Sequence, residues 1–119
     1  MPHQIGEAIE QFREEGYAIV RGFFAPEEIA RIAAAFDRHW SIGMSHAASW
    51  RHGNLFYRLG DDANLGKVVK MVQWPAYEDV ALERVRRDPR WLPLLAPLIG
   101  ADIKQIINQL HWKPPGAAG

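Results

Sequence analysis

The sequence predicts an α+β fold with its helices concentrated early and its longest strand near the end. Apolar residues recur at helical spacing over 5–12 and 26–40, which is typical of helices that bury one face. Residues 67–72 and 103–115 are rich in β-branched and aliphatic side chains and are bounded by turn formers, a pattern that favours strands. The predicted order is helix, strand, helix, loop, strand, helix, helix, strand.

The first two helices have clear boundaries in the sequence. Gly16 follows the first apolar stripe, and glycine favours the left-handed conformation that ends many helices. Residues 17–20, with the sequence YAIV, are expected to form a short buried strand directly after it. The second helix begins at Pro26, because proline suits the first helical position, and is expected to stop at Gly43.

The region from 44 to 65 shows no clear periodicity. It contains two histidines, Trp50, two arginines and several turn-forming residues. We expect a loop here, with a short strand at 55–58, before the more regular strand at 67–72.

Two further helices are predicted before the last strand. The first spans 77–87, and the second begins after Asp88, a good N-cap residue, and ends at Gly100. The residues expected to face the core are Val80, Ala81 and Val85 of the first helix and Trp91, Leu94, Leu95 and Leu98 of the second.

The last predicted strand, 103–115, mixes polar and apolar residues on both faces. Side chains alternate between faces along a strand, so Gln109 and His111 share one face whereas Leu110 and Trp112 share the other. A strand that turns a glutamine and a histidine inward builds a polar network or a pocket. Packing against the helical layer is expected for Trp112. The tryptophans expected in the core are Trp40, Trp74 and Trp91.

Composition narrows the class of protein. The chain has 119 residues and forms at most one domain. Its formal net charge is zero, which argues against nucleic acid and anionic membranes as partners. No cysteine is present, so disulfides and thiolate metal sites are excluded. No apolar run is long enough to span a bilayer, and the polar N-terminus is unlike a signal peptide; we expect a cytoplasmic protein.

Three segments, in this order and spacing, resemble a known family. They are EQFREEGYAIVRGFFAPEEIARI at 10–32, RWLPLLAPLIGADIKQIINQ at 90–109 and HWKPPGAAG at 111–119. Through them, nearly the whole chain resembles the N-terminal part of the phytanoyl-CoA dioxygenase family. Each segment alone occurs in many proteins, whereas the combination is specific.

The resemblance implies the front of a non-haem Fe(II)- and 2-oxoglutarate-dependent dioxygenase, a hydroxylase that acts on a small molecule. The implied fold is a double-stranded β-helix, a jelly-roll barrel related to the cupins. Residues 1–119 would be a single partial domain, comprising the N-terminal helical layer and the first strands of an incomplete barrel. In the family an H-x-D motif follows the KPPG-like segment, and a second histidine and a 2-oxoglutarate-binding arginine lie farther on. Fe(II) and 2-oxoglutarate are therefore the cofactors implied for the full-length enzyme.

The chain lacks the iron ligands that the resemblance implies. None of its five histidines is followed two positions later by a carboxylate. We therefore expect no catalytic or metal-binding residue in this polypeptide, no cofactor bound by it in isolation, and no turnover by it alone.

Two residues are predicted to bind 2-oxoglutarate on the strength of the resemblance. Gln109 stands four residues before Lys113, where relatives place a pocket-facing side chain, and its amide can donate to a carboxylate. Lys70, on the strand 67–72, is a candidate for a basic group near the same carboxylates. Two structural alternatives stay open, a satisfied buried amide for Gln109 and an outward lysine on an edge strand for Lys70.

A second function class is a small non-catalytic α+β module for ligand binding or interaction. His46 and His52 flank a Trp-Arg pair in a position to line a substrate entrance, although a solvated loop is the simpler interpretation. His111 is interpreted as a core histidine or one that supports other site residues.

The strand at 103–115 needs hydrogen-bonding neighbours on both sides. Left as a sheet edge, it exposes unpaired backbone groups together with isoleucine and leucine side chains. We therefore expect the isolated polypeptide to be aggregation-prone or only partly ordered in solution.

Overall fold

The computed structural model of the chain describes residues 2–118. They form an α+β structure in which helices accompany a four-stranded antiparallel sheet. No helix within this range is long and apolar enough to cross a membrane. The elements are α1 (Pro2–Glu15), α2 (Pro26–Met44), β1 (Trp50–His52), β2 (Leu55–Asp62), β3 (Gly66–Gln73), a 3-10 turn (Pro75–Tyr77), α3 (Val80–Arg86), α4 (Trp91–Ile99) and β4 (Gln109–His111).

The strands follow chain order across the sheet, β1-β2-β3-β4, and neighbouring strands are antiparallel. The turn between β1 and β2 contains Gly53, which has a positive φ of 59° that glycine adopts readily because it has no Cβ. Tyr57 pairs with Val72, and Val72 pairs with Leu110. These three residues therefore form one row across β2, β3 and β4, and their side chains point to the same face of the sheet.

Helix α2 covers the face of the sheet that carries the core. Leu55, Tyr57, Val69 and Val72 are completely buried there, together with Ala35 of α2. A fully buried leucine or valine contributes about 1.5–3 kcal/mol to stability. Most of the hydrophobic stabilisation of the sheet therefore comes from this one face.

Helix α2 approaches the sheet closely at Gly43. A Cβ on this residue would lie 2.6 Å from Cγ2 of Val69 and 3.3 Å from Cδ2 of Tyr57. The predicted start of this helix at Pro26 is confirmed, and the helix ends at Met44, one residue beyond the predicted stop at Gly43. The glycine is needed for close packing rather than for ending the helix.

Helix α4 is attached to the beginning of α2 by Arg90. Its guanidinium donates to Glu28 at 2.6 Å, to Asp88 at 2.7 Å and to the carbonyl oxygen of Phe23 at 2.9 Å. The hydrogen bonds from Arg90 lower the pKa of Asp88 to about 2. The ring of Phe23 also lies 4.9 Å from that of Trp91, so polar and aromatic contacts hold the two helices at the same point.

Several predicted elements are confirmed. Helix α1 ends before Gly16, whose φ is 81°, and α4 ends before Gly100. The strand predicted at 67–72 lies within β3. The four residues predicted to face the core from α4 are half-buried, and no residue of this helix is fully buried.

The helix predicted at 77–87 is shorter than expected. The carboxylate of Asp79 accepts hydrogen bonds from the N–H groups of Ala81 and Leu82, so α3 begins at Val80. Leu82 is buried whereas Val80 is 66% exposed. The inward orientation predicted for Val80 is therefore wrong, because the cap sets the rotation of the helix and turns Leu82 toward the core.

Half of the region predicted as a loop, 44–65, is sheet. The strand predicted at 55–58 is confirmed and extends to Asp62, while β1 was not predicted. Trp50 pairs with Tyr57, and their rings stack with centroids 4.7 Å apart. Pairing with a neighbouring strand therefore stabilises a segment whose own sequence has no strand periodicity.

One predicted strand is absent from the described residues, and another is much shorter than predicted. Residues 17–20 form no strand, and Ile19 is 58% exposed rather than buried. Of the segment 103–115, only Gln109–His111 pairs with a neighbour, and Ile106 is 75% exposed. A β-branched segment needs a partner strand for its N–H and C=O groups, and none is present for these residues within 2–118.

The predicted packing of Trp112 against the helices is confirmed. Its ring lies 6.2 Å from that of Phe36 and 5.9 Å from that of Trp40, both on α2. Trp40, Trp74 and Trp91 are half-buried rather than fully buried. β4 is therefore attached to α2 as well as to β3.

Gly43→Ala is expected to destabilise the protein by about 1–3 kcal/mol, the usual effect of overpacking a core. The added methyl group would overlap Val69 although alanine is the better helix former. The matched control is Gly6→Ala in α1, where a Cβ meets nothing within 4 Å and where we expect up to about 1 kcal/mol of stabilisation. Denaturant unfolding measures both changes, and equal effects in the two variants would contradict the close approach of α2.

The exposed apolar segment 103–107 is expected to make the chain self-associate in solution. Ile106→Lys should reduce the self-association, because charge on an unpaired extended segment opposes edge-to-edge pairing. Val80→Lys is the control, since Val80 is a comparably exposed aliphatic residue on a helix. Sedimentation velocity provides the measurement. A wild-type chain that sediments as a single monomer would refute this expectation.

Candidate functional site

The face of the sheet opposite α2 carries most of the polar residues of the sheet, and we call it the open face. Residues paired across neighbouring strands point the same way, so Arg58, Met71 and His111, which are paired in register, share this face. Its residues, row by row, are Arg51, Phe56, Gln73 and Gln109, then Arg58, Met71 and His111, and then Lys70.

Lys70 reaches the open face through a bulge. The register of β2 against β3 shifts between Arg58 and Leu59, and Lys70 is the extra residue of β3 at this point, which re-aims its side chain. The lysine stem runs over Gly60, where a Cβ would lie 3.0 Å from Cε of Lys70. The glycine therefore leaves the space that the lysine occupies.

Gln109 lies on the same face as Lys70, at the edge strand β4. Its Oε1 is 3.0 Å from Nε2 of His111, two residues along the strand. Both side chains are exposed, so Gln109 is not a buried amide. Its amide nitrogen has no hydrogen-bond acceptor among residues 2–118, and it remains available as a donor.

A concavity of about 530 Å³ lies on the open face, between the β2–β3 hairpin and the segment 113–117. Its charged lining residues are Arg58, Lys70, Lys113, Asp61 and Asp62, and its other walls include Val68, Met71, His111 and Pro114. Cations outnumber anions here, which favours an anionic ligand. A further concavity beside α3, lined by residues such as Tyr77 and Val80, lies away from this face.

Asp62 holds the C-terminal segment against the β2–β3 hairpin. Its carboxylate accepts from the N–H groups of Asn64 at 2.8 Å, Leu65 at 3.1 Å and Ala118 at 2.8 Å. The hydrogen bonds from Asn64 and Ala118 lower the pKa of Asp62, and the charge of Lys70 adds to the effect. The carboxylate of Asp62 is therefore already hydrogen-bonded to backbone N–H groups. The cations of the concavity are more accessible to a ligand than this negative charge is.

The histidines predicted at a substrate entrance are separated by the structure. His46 lies against Trp50, with ring centroids 4.3 Å apart. His52 is exposed at the end of β1, whereas the guanidinium of Arg51 lies 4.6 Å above the ring of Phe56 on the open face. These residues therefore contact their own hairpin and form no common site.

A second polar group is buried on the other face of the sheet, between α2 and β2. His39 is 1% exposed, Tyr57 is completely buried, and Nδ1 of His39 lies 2.6 Å from the hydroxyl of Tyr57. Nε2 of His39 lies 3.7 Å from Oδ2 of Asp79 and has no hydrogen-bond partner among the described residues.

The surroundings decide which hydrogen-bonding role each group takes. If Nδ1 of His39 carried the proton, the phenol proton of Tyr57 would lack this acceptor, and the lone pair of Nε2 would face the carboxylate of Asp79. Both of these unfavourable contacts are avoided when the histidine proton is on Nε2 and the hydroxyl of Tyr57 donates to Nδ1.

Asp79 connects this buried cluster to α3. Its carboxylate accepts from Nη2 of Arg38 at 2.8 and 3.0 Å and from the N–H of Ala81 at 3.0 Å. A charge-assisted pair that also caps a helix is held in a defined geometry. Asp79 therefore fixes α3 against α2 while it faces the imidazole of His39.

Burial determines the protonation state of the cluster. It lowers the pKa of His39, against the opposing effect of the Asp79 charge. It also raises the pKa of Tyr57 to about 12, with the charges of Glu78 and Asp79 acting in the same direction. At neutral pH the cluster consists of a neutral imidazole and a neutral phenol.

Sequence reasoning missed this cluster, although one signal was present. His39 stands on the apolar stripe of α2, seven residues after Ile32 and four before Gly43, and a polar residue on such a stripe requires a buried partner. The identity of the partners, Tyr57 and Asp79, depends on how the hairpin and α3 pack against α2.

The chemistry available on the open face is anion binding. An ammonium, a guanidinium and an amide N–H group, from Lys70, Arg58 and Gln109, are suitable donors to carboxylates. No three histidine or acidic residues within 2–118 come together in a way that could hold a metal ion. The described residues therefore offer no complete set of iron ligands of their own. No family model matches the chain, and comparison with curated proteins and with solved structures also gave no match.

The lowered pKa of His39 makes stability depend on pH. Between the folded pKa and the unfolded value near 6.5 the unfolded state binds more protons, so the free energy of unfolding falls as the pH falls below about 6.5. His39→Gln should reduce this slope between about pH 7 and about pH 5, as measured by urea unfolding. His52→Gln, which removes an exposed histidine, is the control. A wild-type slope in His39→Gln would show that His39 is not the group that titrates.

Proposed function

We propose that this chain is the N-terminal part of a non-haem Fe(II)- and 2-oxoglutarate-dependent dioxygenase that hydroxylates a small molecule. The observation that supports it best is the position of Lys70 and Gln109. Both residues, singled out from the sequence resemblance, lie on the open face of the sheet. The resemblance to the phytanoyl-CoA dioxygenase family supplies the reaction class, and the donors on this face suit the carboxylates of 2-oxoglutarate.

In this proposal the sheet is one layer of a jelly-roll barrel. Helix α2 covers one face, and the other face, with its polar residues, is left for a second sheet to enclose. The segment 103–107 would then find its missing partner strand in that second sheet. The H-x-D motif and the distal histidine would come from polypeptide outside residues 1–119, since these residues contain no such set.

In this proposal Lys70, which lines the concavity, and Gln109, which lies on the same face outside its lining, have binding roles rather than catalytic ones. The ammonium of Lys70 would neutralise a co-substrate carboxylate, and the amide of Gln109 would donate to it while His111 holds the amide oxygen. Bound iron would supply the oxygen activation. The residues of this chain would orient the co-substrate beside it.

A non-catalytic module that binds a small anionic molecule is the second candidate. The observation in its favour is the concavity itself, which combines Lys70, Arg58 and Lys113 with an apolar wall at Val68 and Met71. Such a site binds an anion without any chemistry. Only the oxygenase proposal requires iron to be bound close to the same face.

The test uses a polypeptide that continues beyond residue 119. With Fe(II) and 2-oxoglutarate under anaerobic conditions, we expect the weak visible charge-transfer band of the bound chelate. Lys70→Gln should weaken 2-oxoglutarate binding by about tenfold, the effect of losing one charge-assisted hydrogen bond, and Lys104→Gln, at an exposed lysine, should leave it unchanged. Absence of the band in a folded protein would refute the oxygenase proposal. Binding of 2-oxoglutarate without the band would support the second candidate.

A further inference from the structure

Two aromatic rings of the β1–β2 hairpin and a buried base of α2 form a continuous line of contacts. The indole of Trp50 stacks on the phenol ring of Tyr57, with centroids 4.7 Å apart and planes 9° from parallel. The hydroxyl of Tyr57 is 2.6 Å from Nδ1 of His39. Parallel rings at this distance overlap well enough to exchange electrons, and a phenol that donates to a base can release its proton as it loses an electron.

We propose that Trp50, Tyr57 and His39 form a one-electron redox relay. An outer-sphere one-electron oxidant first removes one electron from the indole of Trp50. One electron then passes from Tyr57 to Trp50, and the phenolic proton moves to Nδ1 of His39. The products are a neutral indole, a neutral tyrosyl radical and an imidazolium. A small-molecule reductant returns the electron, and the proton returns from His39 to Tyr57. This relay does not depend on the proposed oxygenase function.

The hydrogen bonding of the two rings gives the transfer its direction. Nε1 of Trp50 is buried and has no hydrogen-bond partner among residues 2–118, and the neighbouring ring of His46 stacks on the indole without accepting from it, so an oxidised indole has no hydrogen-bonded base to take its proton. It remains a radical cation, which is a stronger oxidant than the neutral radical. Tyr57 has an acceptor for its proton in place at 2.6 Å, and therefore the electron moves from Tyr57 to Trp50.

The groups around His39 allow it to accept the proton and to release it again. Oδ2 of Asp79 lies 3.7 Å from Nε2 of His39, and the negative charges of Asp79 and Glu78 favour an imidazolium. Burial and the positive charge of Arg38 oppose it. The imidazole is therefore neutral and ready to accept before oxidation, and the imidazolium faces a carboxylate afterwards.

The two redox-active rings differ in their access to solvent. Trp50 is partly exposed, whereas Tyr57 is completely buried. A dissolved oxidant therefore reaches Trp50 first, and the tyrosyl radical forms where solutes cannot reach it. The relay moves an oxidising equivalent from the surface to a protected interior position.

The sequence offers a clean background for a test. The chain has three tyrosines, and the other two, Tyr17 and Tyr77, are both exposed. Replacing these two by phenylalanine leaves Tyr57 as the sole tyrosine without disturbing the core. Laser flash photolysis with a ruthenium polypyridyl photo-oxidant and a quencher then follows tryptophan and tyrosyl radicals by their separate visible absorption bands.

In this background we expect decay of a tryptophan radical to match formation of the Tyr57 radical. Trp50→Phe should lower the tyrosyl yield by an order of magnitude, whereas Trp91→Phe, the matched control, should leave it unchanged. His39→Gln should slow tyrosyl formation, and the parent protein should show slower formation in D₂O, a readout that requires no core substitution.

Three results would overturn the relay. One is the absence of a tyrosyl signal when Tyr57 is the sole tyrosine. Another is an unchanged yield after Trp50→Phe in a protein whose circular dichroism shows a native fold. The third is equal rates in H₂O and D₂O, which would show that the phenolic proton does not move with the electron.

Discussion

The close packing of α2 on the β2–β3 hairpin is the contact on which the rest of the structure depends. It requires a residue without a side chain at Gly43, since any Cβ would collide with Val69. Because the helix lies this close, Tyr57 and Val69 are completely buried, and interiors packed to this density tolerate little change in volume. This contact determines which face of the sheet is dry, and strand alternation places the remaining side chains on the opposite face.

The two faces of the sheet place their polar groups under opposite conditions. On the face beneath α2, His39 and Tyr57 are removed from water and depend on each other for hydrogen bonding. On the open face, Lys70 and Gln109 keep access to solvent and to a ligand. Strand alternation and one bulge produce this separation, since a shift of a single residue in register would exchange the two faces.

A few polar anchors connect the remaining segments to this packed centre. Asp79 caps α3 and pairs with Arg38, Arg90 links α4 to the start of α2, and Asp62 holds the residues around Ala118 against a hairpin. Each is a carboxylate or guanidinium with several partners, and such groups hold orientation better than single hydrogen bonds do. Among residues 2–118 the segment 103–107 has no comparable anchor, and its side chains are exposed.

The sequence by itself determined the α+β class, the start of α2 at Pro26, the end of α1 at Gly16 and the strand within β3, because periodicity, proline and glycine act over a few residues. It also indicated that Trp112 faces the helices. Only the tertiary structure decided that β1 exists, that 17–20 is not a strand, and that His39 meets Tyr57. Strand pairing and buried polar partners join residues far apart in the chain, and no local pattern reports such neighbours.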